Sequence, residues 1–363
     1  MHLESNEFQP AERLANSRDF FLSAPSQPYD AILILSFGGP EKRDDVIPFL
    51  ENVLRGKPVP RERLLEVAEH YYHFDGISPI NTHCRELITA LRAELDAHQI
   101  SLPIYWGNRN WYPLLNDALG QMKKDGIQKV LTYVTSGFSS YSGCRQYREN
   151  IAAALEHPDA AGMQIDKLRV FYNHPDFIAV LSEQVTRALS EFAPEERHAV
   201  HVAFTAHSIP TSMAGSSDYT QQLRESCRLV AGSLGLSETQ WSLVYQSRSG
   251  RPEDPWLEPD ICDFLATLKA AGTDNVVISP IGFLSDHMEV LYDLDDEARR
   301  VCIKHELRMV RAGTPGSHPQ FIRMIRKLIE ERLHGAPREC LGQFGANHDV
   351  CPAECCPAST RSR

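Results

Sequence analysis

One short apolar run near the start of the chain restricts the fold more than any other feature. Residues 31–37 read AILILSF and end at the turn GGP, and DDVIPFLENVL (44–54) then shows helical spacing. An unbroken apolar run bounded by a turn indicates a strand buried on both faces. Further strand candidates begin at 103, 129, 168, 198, 241, 275 and 307, mostly separated by amphipathic stretches. This alternation predicts an α/β protein with parallel sheets flanked by helices.

Two distant segments share a pattern that divides the chain. KKDGIQKVLTYV (123–134) and LKAAGTDNVVIS (268–279) both contain Lys-x-x-Gly-x-x-x-Val, and a Gly-Phe pair follows each. Each glycine stands where a helix ends before a buried strand. We interpret the match as two similar α/β halves, with coincidence as the alternative for so short a pattern. The predicted limits are a flexible arm (1–28), halves at 29–185 and 186–316, and a C-terminal helix with a cysteine-rich tail (317–363).

The charge balance excludes several classes of partner. The chain of 363 residues has a formal charge of -11 and lacks the Lys and Arg clusters that phosphate backbones require. No apolar run approaches the roughly 20 residues of a spanning helix. The first residues also lack the basic start and apolar centre of a signal peptide. The sequence therefore predicts a cytoplasmic protein with no transmembrane segment and no nucleic-acid partner.

Two strand exits in the second half carry chemically versatile side chains. TAHSIP places His207 at the end of one predicted strand, and IGFLSDHMEV places His287 and Glu289 after another. Ligands of parallel α/β sheets bind beyond the carboxyl ends of the strands. A neutral imidazole binds metal or accepts a proton near neutral pH, and a nearby carboxylate can do the same. A purely structural role for a histidine at a strand end is the alternative.

The stretch after the second exit is unusually acidic. In a helix over 288–299, Glu289, Asp293 and Glu297 lie at i, i+4 and i+8 on one face. Like charges at this spacing cost a few tenths of a kcal/mol per pair. One interpretation is a track of carboxylates that passes a divalent cation towards His207. The other is a solvated acidic face near a helix N-terminus, where the macrodipole favours carboxylates.

The nine cysteines do not suggest a disulfide framework in a large, cytoplasmic chain. Cys340, Cys351, Cys355 and Cys356 lie close together after the last predicted helix, and Cys144 in SSYSGCRQYRE is a candidate internal partner. Clustered thiolates bind soft metals or iron-sulfur clusters. Zinc and an unstructured reactive tail are the alternatives.

Five segments taken together resemble the ferrochelatase family, whose members insert ferrous iron into a porphyrin. They are LSFGGP, HFDGISPIN, SYSGCRQYRE, FTAHSIP and GFLSDHMEVLYDLDDEA, and the resemblance extends from about Tyr29 to Leu333. It implies two Rossmann-like domains with a porphyrin cleft between them. It also implies that His207 faces the macrocycle with Glu289 as its partner, and that Asp293 and Glu297 deliver the metal. Phe37, Ser78 and Tyr147 match porphyrin-binding positions. From its Gly and Pro turn alone, Ser78 has either a binding role as an exposed donor or a structural role.

The tail resembles that of relatives with a 2Fe-2S cluster, in which an internal cysteine joins three near the C-terminus. This resemblance implies Cys144, Cys351, Cys355 and Cys356 as ligands, with Cys340 as an alternative to Cys355. The SYSGCRQYRE segment and the lack of an evident apolar membrane lip resemble coproporphyrin III ferrochelatases, so coproporphyrin III is favoured as the substrate together with Fe²⁺, with protoporphyrin IX as the alternative. The family resemblance also leaves room for transient contact with neighbouring enzymes of heme synthesis. Two other functions remain open: an iron-sulfur or porphyrin-binding sensor, and a chelatase for another divalent metal.

Overall fold

Two parallel four-stranded sheets form the framework of the protein. The computed structural model describes residues 28–251 and 253–358, so the predicted arm at 1–28 lies almost entirely outside the described residues. The strands of the first sheet are β1 (Ala31–Ser36), β2 (Ile104–Asn108), β3 (Lys129–Val134) and β4 (Gln164–Lys167). Those of the second sheet are β5 (His201–His207), β6 (Trp241–Gln246), β7 (Asn275–Ser279) and β8 (Arg308–Arg311).

Helices flank both sheets. The α-helices among the described residues are α1 (Val46–Val53), α2 (Arg61–Tyr72), α3 (Ile80–Ala97), α4 (Leu115–Lys124), α5 (Gln146–Leu155), α6 (Pro175–Ser190), α7 (Thr211–Ala214), α8 (Tyr219–Ser233), α9 (Ile261–Ala270), α10 (Met288–Val290), α11 (Arg299–Lys304) and α12 (Pro319–His334). Two π-helical segments span Tyr141–Arg145 and Leu291–Ala298. None of these helices combines the length and the apolar character needed to cross a bilayer.

The two sheets have the same topology. Their strand orders are β2-β1-β3-β4 and β6-β5-β7-β8, and every neighbouring pair is parallel. All six residues of β1 are buried, as the unbroken apolar run predicts for a central strand. Gly126 and Gly272 follow α4 and α9 with φ of +81° and +93°, a conformation that favours glycine. The prediction of two similar α/β halves is therefore confirmed.

The last helix joins the two halves. Its predicted apolar stripe of Phe321, Ile325, Leu328 and Ile329 is fully buried, and α12 packs against α3 and α6. Helix α6 in turn contacts β7 and β8, although the proposed limit at 185 assigns most of it to the first half. The exact limits of the domains stay a prediction.

Two local predictions are wrong. The segment LRVFY (168–172) is buried but is not a strand. The strand of this region is β4, which ends just before it and spans Gln164–Lys167. Residues 288–299 do not form one regular α-helix, because the π-helical segment Leu291–Ala298 separates α10 from α11. A π-helix has wider turns than an α-helix and is frequent at functional sites.

Candidate active site

His207 is the last residue of β5 and lies at the carboxyl edge of the second sheet. Its Nδ1 donates a hydrogen bond to the carbonyl oxygen of Ser208, which fixes the ring. Its Nε2 then lies 3.6 Å from Oε1 of Glu289. The two strand exits singled out in the sequence thus meet at one point.

A histidine at the preceding turn orients Glu289. Nδ1 of His287 accepts a hydrogen bond of 3.2 Å from the backbone N–H of Glu289 and caps α10. A neutral ring that accepts at Nδ1 carries its proton on Nε2. Burial lowers the pKa of His287, which keeps this ring neutral. His287 therefore positions the backbone of Glu289 and leaves its carboxylate free to face His207.

The His207–Glu289 pair is charged at neutral pH. Burial opposes the charge on His207, but the carboxylate of Glu289 and the Ser208 carbonyl raise its pKa above the ordinary value. Burial likewise opposes the charge on Glu289, but His207 lowers its pKa. The side chains remain 35% and 46% exposed, so solvent in the cleft screens the pair. The resting pair is an imidazolium beside a carboxylate that both remain open to a ligand.

Asp293 titrates near neutral pH. Burial, helped by the charges of Glu289 and Glu297, raises its pKa to about 7 against the opposing hydrogen bonds from Ser247 and Gln246. A group with a pKa near the working pH both accepts and releases protons readily. Asp293 is therefore suited to exchange protons with the pair in front of it.

Two residues that hold Asp293 are absent from the sequence prediction. Gln246 ends β6 and donates through Nε2 to Asp293 Oδ2 (3.3 Å) and to the carbonyl of Glu289 (3.2 Å). The hydroxyl of Ser247 donates to the same Oδ2. Their position at the carboxyl end of a third strand, β6, could have identified them. Glutamine and serine are ordinary polar residues, so neither stands out in the sequence by itself.

The acidic stretch contains two functionally different sets of carboxylates. Asp286 and Asp295 both bind Arg311, at 2.9 and 2.7 Å, and Asp296 binds Arg300. Asp293 and Glu297 instead lie four residues apart in the π-helix, and both act on the thiol of Cys262. Burial raises the pKa of Glu297 against the effect of Arg300. Both interpretations of the acidic stretch, the carboxylate track and the solvated acidic face, stay predictions.

The first sheet contributes an apolar and cationic counterpart. Phe37 follows β1 and packs its ring edge-on to Phe49 at 6.2 Å, with the guanidinium of Arg109 5.6 Å from the Phe37 ring centre. Tyr147 is 4% exposed and lies 4.6 Å from the same guanidinium. Ser78 is 4% exposed and packs beneath the GGP turn, so of the two roles left open for it, an exposed donor does not fit and a structural one does. The porphyrin contacts of Phe37, Ser78 and Tyr147 stay predictions.

Comparison with known proteins decides the family. The family model for ferrochelatase matches residues 29–333, which are the residues over which the motifs resemble that family. The chain belongs to the ferrochelatase family. A ferrochelatase of Rhodopirellula baltica is 54% identical over 331 residues, covering 91% of this chain and 93% of that protein. A coproporphyrin III ferrochelatase of Streptomyces coelicolor is 48% identical, covering 92% and 94%.

Solved structures support the fold of this ferrochelatase. SirB from Bacillus subtilis with Fe³⁺ has a TM-score of 0.53 at 13% identity, covering 84% of this chain and 96% of SirB. At this identity the likeness concerns the fold alone. It agrees with the two-domain α/β chelatase architecture seen in the two sheets.

The ferrochelatase tail brings four thiols together. The buried thiol of Cys144 interacts with Cys351, which raises the pKa of Cys144 and lowers that of Cys351. Sγ of Cys355 lies 3.5 Å from Sγ of Cys356 and within 4.8 Å of the sulfur of Cys351. All four residues predicted from the resemblance are therefore neighbours.

Cys340, the alternative cluster ligand, and His348, which the sequence analysis did not single out, differ in their surroundings. Cys340 lies near Tyr172, and none of the thiol–thiol contacts among the described residues involves it. His348 interacts with Cys351, and its ligand nitrogen lies within 4.8 Å of the sulfurs of Cys351 and Cys355. The spacing His-x-x-Cys in NHDVC is the signal that could have revealed it.

A second group of potential ligands, His174, Asp176 and Glu339, is unsuited to a cation. Lys327 already lies 2.9 Å from Asp176 and 2.8 Å from Glu339 and supplies the positive charge. Nδ1 of His174 accepts from the backbone N–H of Asp176, so Nε2 carries a proton and offers no lone pair. This group stabilises the start of α6 and the approach of the tail.

Proposed function

We propose that this ferrochelatase inserts Fe²⁺ into coproporphyrin III at His207 and Glu289, producing the iron porphyrin and two protons. The observation that carries the site assignment is the distance of 3.6 Å between Nε2 of His207 and the carboxylate of Glu289 at the open edge of the second sheet. The choice of porphyrin is supported by the coproporphyrin III ferrochelatases among the relatives. Protoporphyrin IX is the alternative that the assay below tests.

Proton removal is the first task of the proposed site. A porphyrin must lose two N–H protons as the metal enters, so a base has to face the ring. His207 holds a proton at rest because Glu289 raises its pKa. An incoming dication repels that proton, and the neutral Nε2 then accepts one from a pyrrole. Glu289 takes the displaced proton, and Asp293, with a pKa of about 7, passes it on to solvent. The same relay then clears the first pyrrole proton from His207, whose Nε2 accepts the second.

Metal delivery is the second task. Asp293 and Glu297 lie behind Glu289 in the π-helix and are not engaged by Arg311, which binds Asp286 and Asp295 instead. Carboxylates without a bound arginine offer oxygen ligands to a divalent cation. We therefore assign Asp293 and Glu297 to the path of Fe²⁺ towards His207. Phe37, Ser78 and Tyr147 remain the proposed contacts of the porphyrin on the first domain.

The test is an anaerobic insertion assay. Purified protein receives Fe²⁺ with either coproporphyrin III or protoporphyrin IX, and conversion of the porphyrin bands is followed by absorption. We expect faster turnover with coproporphyrin III and its loss in His207→Ala. Equal or faster turnover with protoporphyrin IX contradicts the substrate assignment. Porphyrin binding without turnover of either substrate favours the sensor instead.

We further propose a 2Fe-2S cluster held by Cys144, Cys351, Cys355 and Cys356. The residues fit such a group, because two close pairs of thiols face each other and Cys144 and Cys356 are 3% exposed. When bound, the cluster supplies one-electron redox chemistry and a covalent cross-link of the tail. Cys144→Ser should abolish the visible absorption and the stoichiometric iron and sulfide. Cys340→Ser is the matched control and should retain them.

The remaining assignments follow from this function. We assign the enzyme to the lyases and to the cytoplasm, in keeping with a substrate that carries several carboxylates. Transient contact with neighbouring enzymes of heme synthesis would shorten the path of a reactive product. Co-purification under mild cross-linking tests that contact, and recovery of the monomer alone contradicts it.

A further inference from the structure

Close to the tail cysteines of the proposed 2Fe-2S cluster lies a further metal-ligand side chain, His348. The ligand atoms of His348, Cys351 and Cys355 lie within 4.8 Å of one another. They are separated by two and three residues along one short segment. Spacings of this kind are typical of loops that bind a single metal ion. Three such groups converge without any contribution from the active-site cleft.

A fourth ligand comes from the body of the protein. Cys144 follows β3 on a π-helical turn, and its thiol interacts with that of Cys351. Added to the close group of His348, Cys351 and Cys355, it would complete a Cys₃His set, which is a common composition of tetrahedral zinc sites. The set differs from the proposed cluster ligands at one position, because His348 replaces Cys356. Cys356 lies on the other side of Cys355, at 3.5 Å between sulfurs.

The surroundings hold the segment in place and balance its charge. Nη1 of Arg145 donates to the carbonyls of Ala353 (3.1 Å) and Cys355 (3.3 Å). Arg148 donates to the carbonyl of Pro352. The positive charge of Lys167 acts on both Cys144 and Cys351. Three thiolates close together therefore face cationic side chains that reduce the cost of their negative charge.

We propose that the tail binds one borderline divalent cation, of the Zn²⁺ or Co²⁺ type, through Cys144, His348, Cys351 and Cys355. Imidazole and thiolate ligands select such metals over Mg²⁺ or Ca²⁺. Binding releases the thiol protons. Because this site and the cluster share three thiols, the two occupants exclude each other. The single ion is the occupant when no cluster is present, and the inference does not depend on the porphyrin substrate.

The test is a titration of the full chain with Co²⁺ after anaerobic removal of iron and sulfide. All variants carry Cys262→Ser, because Cys262 is the thiol next to the carboxylates Asp293 and Glu297. We expect one Co²⁺ per chain with thiolate charge-transfer absorption. His348→Ala should weaken binding at least as much as loss of an outer-shell partner does, about 10- to 100-fold. His348→Cys should restore it.

Two matched variants separate this site from the cluster. Cys356→Ser should bind Co²⁺ like the parent but lose the cluster, whereas His348→Ala should keep the cluster. His334→Ala, at the exposed last position of α12, is the control and should change neither. Unweakened Co²⁺ binding in His348→Ala, or its loss in Cys356→Ser, overturns the proposal. Cys144→Ser should lose the cluster and also weaken Co²⁺ binding, and unweakened Co²⁺ binding in this variant overturns the proposed ligand set.

Discussion

The active-site cleft and the cysteine tail both present metal ligands, but they differ in exposure and in charge. In the cleft, Glu289 keeps 46% of its side chain exposed, and no arginine binds it among the described residues. In the tail, Cys144 and Cys356 are 3% exposed, and Arg145 anchors the segment to the body. Oxygen and imidazole ligands in an open cleft exchange a cation quickly, whereas buried thiolates retain one. The first region is built to pass a metal on and the second to keep it.

The largest effect on turnover is expected from a substitution in the cleft that leaves the metal content of the tail unchanged. Glu289→Ala removes the partner of His207 and the first acceptor of its proton, and removal of a general acid–base group lowers turnover by about 10²- to 10⁴-fold. The visible absorption and iron content of the tail should not change. Glu253→Ala, 64% exposed on a surface loop, is the control. Loss of tail iron in Glu289→Ala would show that the two regions are not independent.

The pH dependence of turnover sharpens the assignment of the base. His207 accepts a pyrrole proton only when neutral, and Glu289 raises its pKa, so turnover should rise with pH through that raised pKa. In Glu289→Gln the carboxylate charge is gone, and burial then lowers the pKa of His207. The acidic limb of the kcat profile should therefore move to lower pH although kcat falls. An unmoved limb indicates that another group controls it.

A smaller effect on turnover is expected at Asp293, one turn beyond Glu289 on the proposed path of Fe²⁺. Asp293→Asn keeps an acceptor for Ser247 but cannot exchange protons, so turnover should fall by about 10- to 100-fold, as for other residues behind the first ligands. The loss should be smaller than in Glu289→Ala and greatest near pH 7, where Asp293 titrates. Asp295→Asn is the control, because Asp295 binds Arg311. Equal losses in both variants would contradict the division of the acidic stretch.

Some features of the fold and of the site could be predicted from the sequence and others could not, because a sequence shows residue types and their spacing but not their contacts. Apolar runs such as AILILSF mark buried strands, and residues after parallel strands meet at one edge, so His207 and Glu289 could be found together. The π-helix at Leu291–Ala298 could not be predicted, because it arises from a shift in backbone hydrogen bonding that leaves the residue pattern unchanged. The strand predicted at 168–172 is wrong because these residues are buried without forming a strand of the sheet.

Polar residues were harder to place than apolar ones. Gln246 and Ser247 look like ordinary loop residues, and only their contacts with Asp293 give them a role. Ser78 sits in a Gly-Pro turn that suggested exposure, yet it packs against Gly39. His348 was overlooked because the neighbouring cysteines dominate the composition of the tail. A polar side chain is defined by its partners, and those lie far away in the chain.

The smallest effect is expected from a substitution that weakens the attachment of the tail and leaves turnover in the cleft unchanged. Arg145→Ala removes two hydrogen bonds to the carbonyls of Ala353 and Cys355, each contributing about 0.5–1.5 kcal/mol. Amide hydrogen exchange at 351–356 should therefore accelerate several-fold, with unchanged turnover. Arg187→Ala is the control, because Arg187 forms the same i,i+4 ion pair with Glu183 that Arg145 forms with Glu149, but far from the tail in sequence. If turnover falls in step with the faster exchange, the tail does more than retain a metal, since its attachment to the first domain then also controls the cleft.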